Sequence, residues 1–484
     1  MGIFRKKAIE SVLSQRKENK RGLVPTLDAW DLTALGVGAI IGTGIFVLTG
    51  VAAAKYAGPG IIFSFILAGV VSGLAAIVYT ELAAAMPVAG SVYSYSYVSL
   101  GEIVAWLVGW NLILEYLVAA GAVSIGWSSY VTELLRSVGL NLPHSLVTSP
   151  LEGGMLNLPA ALIVLAITLL IITGTQHSAT ANKIVVIAKI SAIILFLAIG
   201  TRHIDPSNWT PMLPYGFSGI FHGAAIIFFA YIGFDAVATA SEEVKNPQRD
   251  LPRGIIYSIL ISTVLYVSVA VVLTGMVRYS LLNTASPVAY ALLRAGIPWA
   301  SALVSVGALA GLTSVMLVTM YGQSRIFFAM ARDNLLPPIF DWIHPRLKTP
   351  VWDSLIIGLL VAAIGAFLPI GLVAEMANIG TITAFIAASI SVIILRKKAP
   401  GLERPFRAPL MPYLPLITIL FAAYLAANLP RLTWIRFIIW IAIGLIVYFA
   451  YGYRKSHLSR DEATEIAVNL SPVPARKPGG DSEK

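Results

Sequence analysis

Cysteine is absent from the 484 residues, so disulfides, thiolate nucleophiles and cysteine-ligated metals are excluded. Charge is scarce too: 12% of the residues are Asp, Glu, Lys or Arg, against about a quarter in a soluble chain. A water-soluble single domain is ruled out. The six histidines (144, 177, 203, 222, 344 and 457) show no HExxH or other paired spacing, so no metal site is expected. His177 and His222 read as interfacial. No GxxxxGK[ST] phosphate loop occurs, and the loops lack the clustered carboxylates of a membrane-embedded glycosyltransferase, so the chain is expected not to be an enzyme and to need no cofactor. The stretch MGIFRKKAIESVLSQRKENKRGLVPTLDAW has no apolar core before Leu32, unlike a cleaved signal peptide.

What is abundant is apolar sequence, at 57% of the residues. Runs at about 31–54, 60–80, 102–132, 156–175, 183–200, 216–240, 254–276, 299–331, 351–371, 376–395, 412–429 and 433–453 predict twelve transmembrane helices in an all-α integral membrane protein. With the N-terminus inside, 26 basic residues fall on the inner side and seven on the outer side. Both termini are therefore predicted to face the cytoplasm, at the cell membrane. The net charge of +10 belongs to those loops and calls for no nucleic acid. The expected layout is a cytoplasmic tail at 1–30, five helices in 31–200, five in 201–400, two more in 401–453 and a disordered polar tail at 454–484.

The starts of the first five runs precede those of the next five by 185 to 197 residues, and the third and eighth runs are both unusually long. Five is odd, so the second half would enter the membrane from the opposite side, as an inverted repeat. Binding sites in such repeats lie where corresponding helices are interrupted. The first run carries GVGAIIGTGIF, with four glycines inside nine residues, and the sixth carries FFAYIGFDA with Gly233 and Asp235 in mid-run. Close packing of small residues is the other reading of these glycines.

GAIIGTGIF is followed in order by YTELAAAMPVAGSVYSYSY, SEEVKNPQRDLPRGI, RIFFAMARDNLLP and RPFRAP. Together these motifs, spread over about residues 25–450, resemble the amino acid–polyamine–organocation (APC) superfamily of transporters. The segment RGLVPTLDAWDLTALGVGAIIGTGIFVLTG is most similar to its cationic amino acid transporter branch. The resemblance implies a leucine-transporter-like fold of five plus five inverted helices with two additional ones. It also implies alternating access to a central amino acid site. The twelve-helix major facilitator layout fits less well, because the loop after the sixth run covers only about 241–253.

An amino acid carries a carboxylate and an ammonium, and both need partners on leaving water. N–H groups freed near Gly42, Thr43 and Gly44 suit the carboxylate. Carbonyl groups near Phe229, Ala230 and Ile232 suit the ammonium. Ile40, Met316 and Met320 are candidates for the side-chain pocket, where thioethers favour small or apolar groups over a guanidinium. Glu115 lies mid-helix and reads as either a neutral, hydrogen-bonded carboxyl or a proton-coupling group. Lys189 either snorkels to the interface or, as the resemblance implies, takes the place of the sodium ion that joins the first and eighth helices in sodium-coupled relatives. Asp235 could meet a cationic substrate side chain or cap the interrupted helix. Tyr266 could hydrogen-bond Glu115 or simply pack. The function read from this is secondary active transport of small neutral or cationic L-amino acids, with proton symport; an exchanger and a transport-like nutrient sensor stay open. The partners are the substrate, protons and the lipid bilayer, with a small membrane subunit left open.

Overall fold

The computed structural model describes residues 3–10, 27–88, 90–137, 139–173, 179–239, 244–347 and 349–458. His177 and the tail after 458 lie outside them. Among the described residues the regular structure is helical, apart from isolated bridges at Leu27–Val244 and Val147–Asn157. A helix satisfies its backbone within one segment, as an apolar solvent demands. Seven helices are long and apolar enough to cross a membrane, and five further apolar helices have 10–17 residues.

The first helix, α1 (Ala29–Ile40), begins at a reciprocal cap: Asp28 accepts from the Trp30 and Asp31 amides while Asp31 accepts from the Asp28 amide. It stops early. The expected first run is cut after Ile40, and the chain then continues helically from Gly44, through a tight turn at Gly58–Gly60, into α2 (Ile61–Ala85). The motif YSYSY forms a short helix of its own, α3 (Ser91–Ser99). Next come α4 (Glu102–Ser137), α5 (Leu158–Ile172) and α6 (Ala179–Gly200). The sixth run is also cut, into α7 (Gly216–Ile227), a tight turn at Phe228–Tyr231, and α8 (Asp235–Thr239). The longer helices of the remainder are α9 (Pro247–Met276), α10 (Pro298–Arg332), α11 (Val351–Phe367), α12 (Ile370–Lys398), α13 (Tyr413–Ala427) and α14 (Arg431–Val447), with a short helix at Pro287–Arg294 before α10.

Burial sorts these helices. The apolar stretches of α4 and α12 are 78% and 72% buried inside the protein, against 17% for the helix running from Arg431 to Lys455, so α4 and α12 form the centre and α14 the edge. An indole stack fastens that edge. Trp110 and Trp440 lie 4.5 Å apart with their planes near parallel, and each donates its indole N–H to the other's backbone carbonyl. Trp106 donates to the Gly444 carbonyl in the same seam.

Both described ends of the chain meet on one face, where the Arg5 guanidinium donates to the Ser456 hydroxyl at 3.5 Å. Lys7 pairs with Asp333 at 2.6 Å, and the Glu102 amide donates to the Arg5 carbonyl at 2.8 Å. On that face Glu81 of α2 takes a two-pronged contact from Arg396 of α12 (2.8 and 2.6 Å) and a third hydrogen bond from the Ala408 amide. Arg404, from the RPFRAP motif, donates to the Leu395 and Ala399 carbonyls and so caps α12.

Candidate binding site at two helix breaks

The two interruptions face each other because glycine lets them. A Cβ on Gly44 would lie 2.3 Å from Ala230 Cα, closer than any side chain permits. Gly233 has φ +116°, a left-handed conformation in which glycine is unstrained, and a Cβ there would meet the Ala39 backbone at 2.9 Å. The first break, between Ala39 and Gly44, thus lies against the second, between Ala230 and Gly233, and neither could approach so closely with larger residues at the glycines.

A helix that stops leaves carbonyls without partners. Lys189 of α6 supplies them for α1: its ammonium donates to Gly38 O at 2.6 Å and Ile41 O at 3.0 Å, and the side chain is fully buried. This geometry replaces the snorkelling reading, since the amine turns inward to a helix end and not out to an interface. Its stem rests on α10, where a Cβ on Gly311 would come within 3.0 Å of Lys189 Cδ. The second break is treated in the same manner. Asn378 of α12 donates its amide to Ala225 O at 2.7 Å and Ile226 O at 3.1 Å, at the end of α7. The two clasps sit roughly 190 residues apart in sequence, the spacing an inverted repeat would give them.

Tyr266 of α9 joins the breaks directly, its hydroxyl lying 2.8 Å from both Ile40 O and Ala230 O. Of the two readings of Tyr266, a hydrogen bond to Glu115 or plain packing, the structure shows neither: the hydroxyl meets Ile40 O and Ala230 O. Both of the hydroxyl's contacts go to helix-end carbonyls, whose partners are otherwise missing.

Between the breaks lies a cavity with about 30 Å³ open to the centres of water molecules, room for about two waters. Of the residues singled out from the sequence, Ile40, Gly42, Thr43, Gly44, Phe229 and Ile232 line it. Ala230 does not; its Cα packs on Gly44 and its carbonyl meets Tyr266. Met316 and Met320 do not line it either. They are buried elsewhere on α10, and the wall is made by Val315 and Thr319, one position earlier in each case. One position is about 100° around a helix, enough to turn a side chain from the cavity into the packing behind it.

Two carboxyl groups close the cavity. Glu115 of α4 is 1% exposed, packs against Gly380 of α12, and its Oε2 has no hydrogen-bond partner. Asp235, at the first position of α8, accepts from the Tyr116 hydroxyl at 2.6 Å. Of the six histidines, the described ones join no group of three or more metal-ligating side chains, and His222 is exposed.

The sequence profile described as amino acid permease matches residues 27–449. The chain belongs to that family, within the APC superfamily. The permease is 47% identical to the methylthioribose transporter of Bacillus subtilis (strain 168), over 95% of its own length and 99% of that protein's. It is 45% identical to the branched-chain amino acid permease BcaP of the same organism, again over 95% and 99%. It is also 38% identical to the vacuolar cationic amino acid transporter 4 of Arabidopsis thaliana, over 82% and 68%. These are transporters, and the permease is one and not an enzyme. Residues at its breaks and cavity wall that the sequence did not single out include Val315, Thr319, Tyr116, Val123, Ala119 and Asn378. A polar asparagine inside an apolar helix was the one available signal for Asn378.

Proposed function

We propose that the permease is a twelve-span secondary transporter of the cell membrane that imports an L-amino acid together with a proton by alternating access. In this reading both termini are cytoplasmic, residues 31–200 and 201–400 form the inverted five-helix repeats, and 401–453 add two spans. The observation that carries it is the pair of interrupted helices facing one central cavity. The substrate carboxylate meets amides at Gly42, Thr43 and Gly44, where a helix N-terminus favours an anion. The ammonium meets backbone carbonyls near Phe229 and Ile232, with the carboxyls of Glu115 and Asp235 close by.

The apolar side chains of the lining are those of Ile40, Val123, Ile232 and Val315, with Thr319 as a polar member. Such a wall suits a small or branched apolar side chain, which accords with the name of the BcaP relative. The cavity is too small for any amino acid as it stands, so its walls have to part and reclose in each cycle. Lys189 and Glu115 are the proposed proton-linked groups, since charge in either must be balanced by what lies beside it.

The test is uptake of labelled amino acids into proteoliposomes, with an imposed proton gradient and with that gradient collapsed. We expect leucine, isoleucine, valine or alanine to accumulate only while the gradient lasts. Accumulation that needs sodium would overturn the coupling. Exchange without net uptake would make the protein an antiporter. Competition by methylthioribose, with none by any amino acid, would overturn the substrate class.

A further inference from the structure

A second cavity lies away from the central site, on the face that carries the chain termini. It is a groove of about 530 Å³ between the start of α9 and the 405–406 segment, within the usual range of roughly 300–1,000 Å³ for ligand pockets. Its polar wall holds Arg249, Arg253 and Gln248, and its apolar wall holds Ile256, Tyr257 and Phe406. Both arginines are exposed, and neither guanidinium has an ion-pair or hydrogen-bond partner among the described residues. Two cations one helical turn apart, with no partner among the described residues, raise the potential at the groove and favour an anion there.

What selects the anion is the helix that continues from them. Arg249, Arg253, Tyr257, Leu260 and Val264 recur at intervals of four, four, three and four residues, which places them on one stripe of α9. Along the stripe the chemistry runs from charged to aromatic to aliphatic. Tyr257, Leu260 and Val264 are 41%, 60% and 58% exposed. Trp30, at the start of α1 and 70% exposed, lies beside Tyr257 with ring centroids 6.2 Å apart, so two amphipathic aromatics mark the level of the membrane–water boundary. From Arg253 to Val264 the helix rises about 16 Å, close to the depth of one leaflet of a roughly 30 Å hydrocarbon core.

We infer that this groove binds one anionic phospholipid of the leaflet on the terminal face, its phosphate held by Arg249 and Arg253 and an acyl chain lying along Leu260 and Val264. Arginine suits the role, because its planar fork matches phosphate oxygens two at a time. The opposite wall, at Phe406, follows Arg404, which caps α12. A lipid in the groove therefore bridges α9 to the segment fastened on α12. The inference needs only that the chain spans a bilayer and does not depend on what the central cavity carries.

The experiment is native mass spectrometry and thermal unfolding of the delipidated full-length protein, titrated with phosphatidylglycerol, phosphatidylcholine or glycerol 3-phosphate. We expect one phosphatidylglycerol to be retained and to stabilise the protein, and phosphatidylcholine to do neither. The R249Q/R253Q variant should bind it on the order of thirty-fold more weakly, a factor of about five per basic residue, and R253Q alone about five-fold. Their unfolding temperature in phosphatidylcholine should match the wild type, which separates lost binding from lost folding. K397Q/K398Q, basic residues elsewhere on the same face, serves as the control and should bind as the wild type does. Undiminished retention in R249Q/R253Q would overturn the proposal, as would an equal loss in K397Q/K398Q. Equal stabilisation by glycerol 3-phosphate would make the ligand a soluble phosphate compound and overturn the lipid assignment.

Discussion

Replacing Lys189 by methionine tests whether the α1 clasp controls access to the cavity. The substitution keeps the length of the stem that rests on Gly311 and removes only the ammonium that donates to Gly38 O and Ile41 O. Each buried carbonyl left without a partner costs about 1–3 kcal/mol. The variant is also relieved of burying a cation, so we take about 2–4 kcal/mol as the net loss for the closed arrangement. A loss of that size shifts the ratio of closed to open forms on the order of 30- to 800-fold. The chain has no cysteine, so a single Ala119→Cys substitution, at a residue lining the cavity, gives a thiol with no background. Maleimide labelling of Cys at that position should accelerate at least ten-fold in the Lys189→Met background, and proton-driven accumulation should disappear. Labelling at the parental rate together with intact accumulation would refute the clasp.

Gly44→Ala should weaken alanine or leucine binding about a hundred-fold, because its Cβ would meet the Ala230 backbone at 2.3 Å; Gly42→Ala faces only the Val315 side chain at 3.2 Å and should cost less than ten-fold by the same equilibrium-binding assay. Thr319→Met should narrow the range of competing substrates, while Met320→Ser, behind the wall, should leave the competition profile unchanged. Glu115→Gln should flatten the pH dependence of uptake without abolishing binding. Glu81→Ala removes the carboxylate shared by Arg396 and Arg404 on the terminal face and leaves them only carbonyl partners, and its unfolding temperature in detergent should fall by several degrees.

The breaks were legible in the sequence because they rest on glycines, whose spacing at 36, 38, 42, 44 and 233 is local information. The partners were not. Lys189 could be placed within its helix, but whether its stem turned toward an interface or toward α1 depends on how α6 packs on α1 and α10, a long-range fact. The same limit explains Tyr266: a mid-helix hydroxyl needs an acceptor, and the nearest ones turned out to be the carbonyls of two other broken segments. Assigning Met316 and Met320 to the pocket followed residue chemistry without knowledge of the rotation of α10. The register set by its packing on α4 brings Val315 and Thr319 forward instead. The YSYSY stretch of α3 carries no apolar run, so composition gave no cue that its tyrosines at 93, 95 and 97 would be buried.

The fastenings at the two breaks are alike in geometry and unlike in chemistry. A lysine ammonium can surrender a proton and then holds its carbonyls through neutral donors; a carboxamide has no such second form anywhere near neutral pH. Under the proposed proton coupling, the α1 break is the titratable joint and the α7 break the permanent one. Two equal halves, as in the proposed inverted repeat, would have no intrinsic direction in which acidity could drive them. On that proposal, one joint sensitive to protons and the other deaf to them give the pair a handle that a pH difference would pull from one side only.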